Sequence, residues 1–211
     1  MRHADIVREV ERTVERACAA PSNVFGYGIW THHIREVARL GRELSAEFGA
    51  DEEVVRLGKE LSAEFGADVE VVELAALLHD YASVKDERLY AEHHVHGPLE
   101  AQALLTSLGY PAEKIDAVKR CIAEHRGSVK GERTTPEAQC LASADALAHI
   151  QNAPSLLFFA YVHKRLEIDD GATWVREKLM RSWGKLEPEL QKRSKKQYEA
   201  ALLTLTKTRD A

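Results

Sequence analysis

Apolar residues recur along most of this chain at three- and four-residue intervals, the period of a helix with one face against a core. Ile6, Val10, Val14 and Ala17 mark a first helix over about 4–19, which Pro21, Ser22 and Asn23 stop. Phe25-Gly26-Tyr27-Gly28 reads as a loop leading to Trp30, His32 and His33. The most apolar stretch, Val71 to Ser83, reads VVELAALLHDYAS and leaves almost no polar face. It predicts a buried helix that carries the adjacent His79 and Asp80 into the interior. A helix is expected from about His96, with Leu99, Ala101, Leu104 and Leu105 inward. Another runs from Ala112 through Ile115, Val118 and Ile122 to His125, and a third from Pro136 through Leu141 and Leu147. Helical patterns around Leu156 to Val162, Trp174 to Trp183 and Tyr198 to Leu205 complete an all-α chain. This last region is expected to cover the core and the cleft, with no residue for chemistry. At 211 residues and 45% hydrophobic content, the chain suffices for one substantial core in a single domain over 1–211.

One segment breaks this regular plan. Leu40 to Asp51 reads LGRELSAEFGAD, and Leu57 to Asp68 reads LGKELSAEFGAD, offset by 17 residues. Glu36, Val37 and Arg39 recur likewise as Glu53, Val54 and Arg56. Two copies in a chain without that period form a tandem duplication, not a solenoid. Each copy looks like a helix ended by Gly, with Asp as a possible N-cap for the next helix. A complete extra helix would reverse the chain direction between His33 and His79. Three outcomes are open: the extra copy bulges out, the second copy displaces the first and puts Ala50 where His33 should be, or two chains exchange the elongated helix in a homodimer.

The chemistry starts from the cost of burying His79 beside Asp80, which is tolerated only when the pair is hydrogen-bonded or bound to a cation. His33, His96, His125 and Asp145 each lie on or beside an apolar helical pattern. Imidazoles with carboxylates make the hard-to-borderline donor set of zinc, iron or manganese. Six such residues exceed the needs of one ion. With Asp80 bridging, they divide around two ions, a spacing suited to activating a shared water. His32 turns about 100° away from His33 on the same helix and is read as a surface or hydrogen-bonded residue. His93 and His94 are read as loop residues, and His149 as structural.

These residues, in the order His33, His79-Asp80, His96, His125 and Asp145, resemble the HD-domain superfamily of metal-dependent phosphohydrolases. HGPLEA, EKIDAV, IAEH, RTTPEA and ADAL are similar to segments of its small, uncharacterised bacterial members. The resemblance covers about 30–150 and implies an HD helical bundle, with a core over about 24–150 and a C-terminal helical region over 152–211. His33 and His79 are 46 residues apart; without the 17-residue offset the separation is 29, the one usual in the family. Two positions depart from its pattern. Ser143 stands where the family often has Asp, and Arg126 where the two-metal HD-GYP branch has a second His. The resemblance implies one or two divalent ions, with Fe, Mn, Zn, Ni, Co and Mg all compatible. His33, His79, Asp80 and Asp145 would hold the first ion, and Asp80, His96 and His125 the second. The implied reaction is hydrolysis of a nucleotide or other small phosphoester, with Asp80 in the catalytic centre and Lys85 as a substrate contact; the polar loop after His125 adds Arg126, Lys130 and Arg133 as candidates for binding an anionic substrate. Two alternatives are a di-iron oxygenase on the same fold and a non-catalytic HD domain disrupted by the duplication.

Charge and cysteine usage narrow the partners. A net charge of −5 argues against binding a nucleic-acid polymer. From Arg176 to Arg209, ten Lys or Arg face four Glu, which reads first as a solvated helical face. Cys18, Cys121 and Cys140 form no CxxC pair and fit core thiols in a reducing cytoplasm. The charged first turns do not resemble a secretory signal, and no apolar run approaches the ~20 residues of a membrane span. The expected partner is a small phosphorylated substrate.

Overall fold

A computed structural model describes residues 2–50, 67–126 and 133–206, with residues 47–50 described by their backbone alone. The described residues form helices and turns without a strand, the all-α fold that the periodicity predicts. The α-helices are α1 (His3–Ala19), α2 (Arg35–Ala50), α3 (Val69–Leu78), α4 (Tyr81–Lys85), α5 (His93–Ser107), α6 (Ala112–Glu124), α7 (Pro136–Gln151), α8 (Ala153–Phe158), α9 (Ile168–Trp183) and α10 (Pro188–Thr204). A π-type turn, Trp30–Ile34, leads into α2; a 3-10 turn, Glu87–Glu92, leads into α5. None of these helices is long and apolar enough to cross a membrane.

The apolar α3 is the central element, packed against α1, α2, α6 and α7. Its Val71, Val72, Leu74, Ala75, Leu77 and Leu78 are all buried, and only Val69, Glu70 and Glu73 reach its outer edge. Asp68 starts it, with Oδ1 accepting from Glu70 N at 2.9 Å and Val71 N at 3.3 Å. Thr135 does the same for α7, accepting from Ala138 N ahead of Pro136 at the first helical position. At the end of α5, Gly109 adopts φ +70°, and Tyr110 N donates back to Leu105 O at 3.0 Å. The helices α9 and α10 pack over α7, as the sequence predicts for the C-terminal region.

The repeated segment leaves the α2–α3 pair intact. These helices run antiparallel: His33, just before α2, meets His79 at the end of α3, while farther along Arg42 Nη1 donates to Glu73 at 2.7 Å. Leu40 and Leu44 of the first copy are in the core. From the second copy, Ala67 is buried and Asp68 caps α3; the rest of it, and any excursion it makes, lies outside the described residues. Ala50 therefore does not stand in the place of His33, and no exchange with a second chain is needed to bring His33 to His79.

Candidate metal centre

Three imidazoles are set by one local device. A helix ends with carbonyls that lack an intrahelical donor. His79 follows the last turn of α3 and its Nδ1 lies 2.7 Å from Ala76 O. His125 follows α6 with Nδ1 2.6 Å from Ile122 O, and His93 follows the 3-10 turn with Nδ1 2.8 Å from Tyr90 O. A carbonyl only accepts, so each Nδ1 carries the proton and donates it. In its neutral form each ring therefore turns an Nε2 lone pair inward, whereas a protonated His79, which the Asp80 charge favours, donates from Nε2 instead.

These lone pairs converge on Asp80. Its Oδ2 lies 3.3 Å from His33 Nε2 and 3.4 Å from His79 Nε2, and its Oδ1 lies 3.6 Å from His93 Nε2. His33 Nε2 is 3.2 Å from His79 Nε2 and 3.6 Å from Asp145 Oδ1. On the other side of Asp80, His93 and His125 bring their Nε2 atoms to 3.3 Å. Both of those rings have already given their Nδ1 protons to carbonyls, so as neutral groups neither can donate to the other. A cation between them resolves the contact.

Three donor groups result: His33, His79 and Asp80; His33, Asp145 and His149; and Asp80, His93 and His125, with donor atoms in each group within 4.8 Å of one another. Their chemistry fits a divalent ion: imidazoles with a fixed tautomer, buried carboxylates, and backbone acceptors orienting the rings from behind. Among these donors, Asp80 stands on both sides of the cluster.

The electrostatics match that arrangement. Burial alone would raise Asp80, but the His79 charge and hydrogen bonds from His33 and His79 hold it well below the usual carboxylate range. Asp145 is likewise held low against burial, by His149, Lys185 and Lys178. His125 and His149 are pushed well below the ordinary histidine value, chiefly by burial, and His93 is lowered for the same reason. His79 goes the other way: burial is the largest single influence and lowers it, but the charge and hydrogen bond of Asp80, the Asp145 charge and the Ala76 carbonyl together outweigh it. Lys185 Nζ contacts Asp145 Oδ2 at 2.5 Å, leaving Oδ1 toward His33 and His149.

Several expected residues fall elsewhere. His96 is not in the cluster: its side chain is partly exposed and its Nε2 faces Glu92 at 3.8 Å. Its expected place is taken by His93, because α5 begins three residues earlier than the periodicity suggests. The buried stripe of α5 is His93, Gly97, Ala101 and Leu105, and Leu99 is exposed. Gly97 lets this stripe approach α6; a Cβ there would stand 2.9 Å from Ile122 Cγ2. Lys85 is also outside, since Asp80 and Ser83 take the inward face of the chain and Glu100 holds its ammonium at 2.6 Å. Arg133 does not line the cavity over the donors, and its Nε is buried without a hydrogen-bond partner; Lys130 lies outside the described residues. Arg126 does line that cavity, donating to Ala91 O and lying 3.0 Å from His94 Nδ1. Ser143, at the position where the family often has Asp, is buried and accepts from Gln139 Nε2.

Other residues enter the site without having been foreseen. His149 stacks on His33 with ring centroids 4.8 Å apart, and its Nδ1 lies 3.4 Å from Asp145 Oδ1. Its spacing of four from Asp145 on a helix was the available signal. The cavity over the donors holds about 740 Å³, and Lys164, Lys178, Arg181 and Lys185 from the C-terminal region line it. The basic stretch there is thus not only a solvated face. Ser83 also lines the cavity, and its Oγ is buried with no partner.

The chain matches the HD domain over residues 30–150, more than half of its length. It belongs to the HD domain family. No curated protein and no solved structure matches it. Within the matched range the structure brings the side chains of His33, His79, Asp80 and Asp145 together. HD domains are typically metal-dependent hydrolases, and the donor groups here are able to hold a metal ion.

Proposed function

We propose that this HD domain is a metal-dependent phosphohydrolase acting on a small phosphoester. The observation that carries the reading is the joint lining of one cavity: Asp80, between two donor groups, with five cationic side chains, Arg126, Lys164, Lys178, Arg181 and Lys185. Asp80 and Asp145 are the carboxylates among the described lining residues, and both belong to the donor cluster. Such a cavity favours an anionic substrate next to metal.

In this reading His33, His79, Asp80 and Asp145 hold one ion, and Asp80, His93 and His125 hold a second. Bound metal supplies Lewis-acid activation of water near neutral pH and neutralises charge on the phosphoryl group. The chain's own side chains do the rest. Lys178 has no hydrogen-bond or ion-pair partner within the described residues, and burial lowers its pKa; an incoming phosphoryl oxygen supplies the missing partner. Ser83 Oγ donates a further hydrogen bond from beside Asp80. Lys185 keeps one oxygen of Asp145 occupied, so that the other is presented to the donors. Arg126 ties the end of α6 to Ala91, which sets the approach of His93.

The test is release of inorganic phosphate from a panel of phosphomonoesters by protein loaded in turn with Mg²⁺, Mn²⁺, Fe²⁺, Co²⁺, Ni²⁺ or Zn²⁺. Turnover with at least one ion, abolished in Asp80→Ala, is expected. No release with any ion, together with oxygen consumption by the iron-loaded protein, would move the assignment to oxidation chemistry.

A further inference from the structure

The cavity is far larger than a phosphoryl group requires, and much of its lining is aromatic. Phe25 and Phe159 stack with centroids 5.6 Å apart; Tyr90 lies 5.5 Å from Phe25, and Trp174 lies 5.5 Å from Phe159. This group is contiguous with the donors, because Tyr90 stacks on His93 at 6.0 Å. Lys164 Nζ stands over both Phe159 and Trp174, at 5.6 Å and 5.4 Å. Tyr27 and Phe158 also line the cavity and remain 46% and 50% exposed, so aromatic surface is left uncovered. A volume of about 740 Å³ suits a whole small molecule, where a hydrated phosphate alone would fill a fraction of it.

Building on the phosphohydrolase reading, we propose that the substrate is a phosphomonoester of a flat aromatic group. The ring system packs against the aromatic lining of Tyr90, Phe158, Phe159 and Trp174, while the phosphoryl end faces Asp80, Ser83 and Lys178. Offset or edge contacts with these rings reward a flat aromatic group beyond the apolar area it buries. Lys164 extends the preference to electron-rich rings, through the same cation contact it makes with Phe159 and Trp174.

The experiment compares three non-hydrolysable probes by calorimetry on the 211-residue, Mn²⁺-loaded chain: 2-naphthylmethylphosphonate, methylphosphonate and 2-naphthylmethanol. The naphthyl phosphonate should bind roughly tenfold or more tighter than methylphosphonate, from the apolar area it covers. Trp174→Ala and Phe158→Ser should each cut that advantage and leave methylphosphonate affinity unchanged; Phe158 is exposed, so its variant preserves the fold. Equal affinity of the two phosphonates, or an advantage untouched by both substitutions, overturns the proposal. Naphthylmethanol binding as tightly as its phosphonate overturns the phosphoester reading instead, and leaves the aromatic preference standing.

Discussion

Lys185 Nζ lies 2.5 Å from Asp145 Oδ2, and both side chains are buried. A lysine from the turn after α9 thus completes the charge balance of a carboxylate on α7. Removing one partner of such a pair leaves an uncompensated buried charge, at a cost of about 3–5 kcal/mol. Lys185→Met should destabilise the metal-free protein by that order, and added Mn²⁺ should restore part of the loss, since a cation again faces Asp145. Urea unfolding with and without chelator checks this; a variant as stable as the parent in chelator contradicts it.

His93 and His96 separate two readings of one helix. His93→Ala should weaken binding of the second ion by at least about tenfold, while His96→Ala should leave it unchanged within about twofold. Metal titration followed by calorimetry distinguishes the two. The reverse ranking would return His96 to the cluster and contradict the position of α5.

The α-fold and the heart of the centre were legible in the chain because they rest on short-range patterns. VVELAALLHDYAS leaves almost no polar face, so its burial and the inward position of His79 follow from the apolar pattern. His96 was misread because Leu99 suggests a core stripe that the packed helix leaves in solvent, and because Gly97 looks like a helix start. It is instead a contact residue in a stripe beginning at His93. Lys178 and Lys185 were not legible as site residues, since they lie more than thirty positions beyond Asp145 in sequence and only the packing of α9 on α7 brings them near it. The effect of the repeat could not be read from parity arguments, because the chain retains the antiparallel α2–α3 pair regardless of what joins them.

That retained pair predicts the outcome of deletion. Removing residues 52–68 joins Asp51 to Val69, so Asp51 inherits the capping role of Asp68 at α3. Metal content should stay within about twofold of the parent, because His33 already reaches His79. Recovery of metal only in the shortened chain, measured by elemental analysis, would show that the repeat displaces His33.

The buried imidazoles set a pH dependence whose sign is fixed. His93, His125 and His149 have folded pKa values below the ordinary histidine value of about 6.5, so below that pH the unfolded chain binds protons that the fold refuses. Stability is lost as pH falls. His79 has a raised value and opposes this, one group against three. Asp80 and Asp145, held below the carboxylate range, stay ionised in the fold throughout and lose their contribution only at far lower pH. The melting temperature in chelator should therefore fall between about pH 7 and about pH 5. A flat or rising profile contradicts the neutral state assigned to these rings.

Lys178 offers a kinetic test of the anion contact. Lys178→Met should raise KM for a phosphomonoester by about tenfold or more, with a smaller change in kcat, if it contributes mainly to binding. Steady-state kinetics at saturating metal give the split; an unchanged KM removes Lys178 from the substrate site.

The most direct measurement is elemental analysis of the purified chain after equilibration with Mn²⁺, Fe²⁺ or Zn²⁺ and removal of free ions. Convergence of His33, His79, Asp80, His93, His125 and Asp145 predicts at least about one tightly held ion per chain, lost in His79→Ala and in Asp80→Ala. Less than about a tenth of an ion per chain with all three metals, or a content unaffected by either substitution, would contradict it.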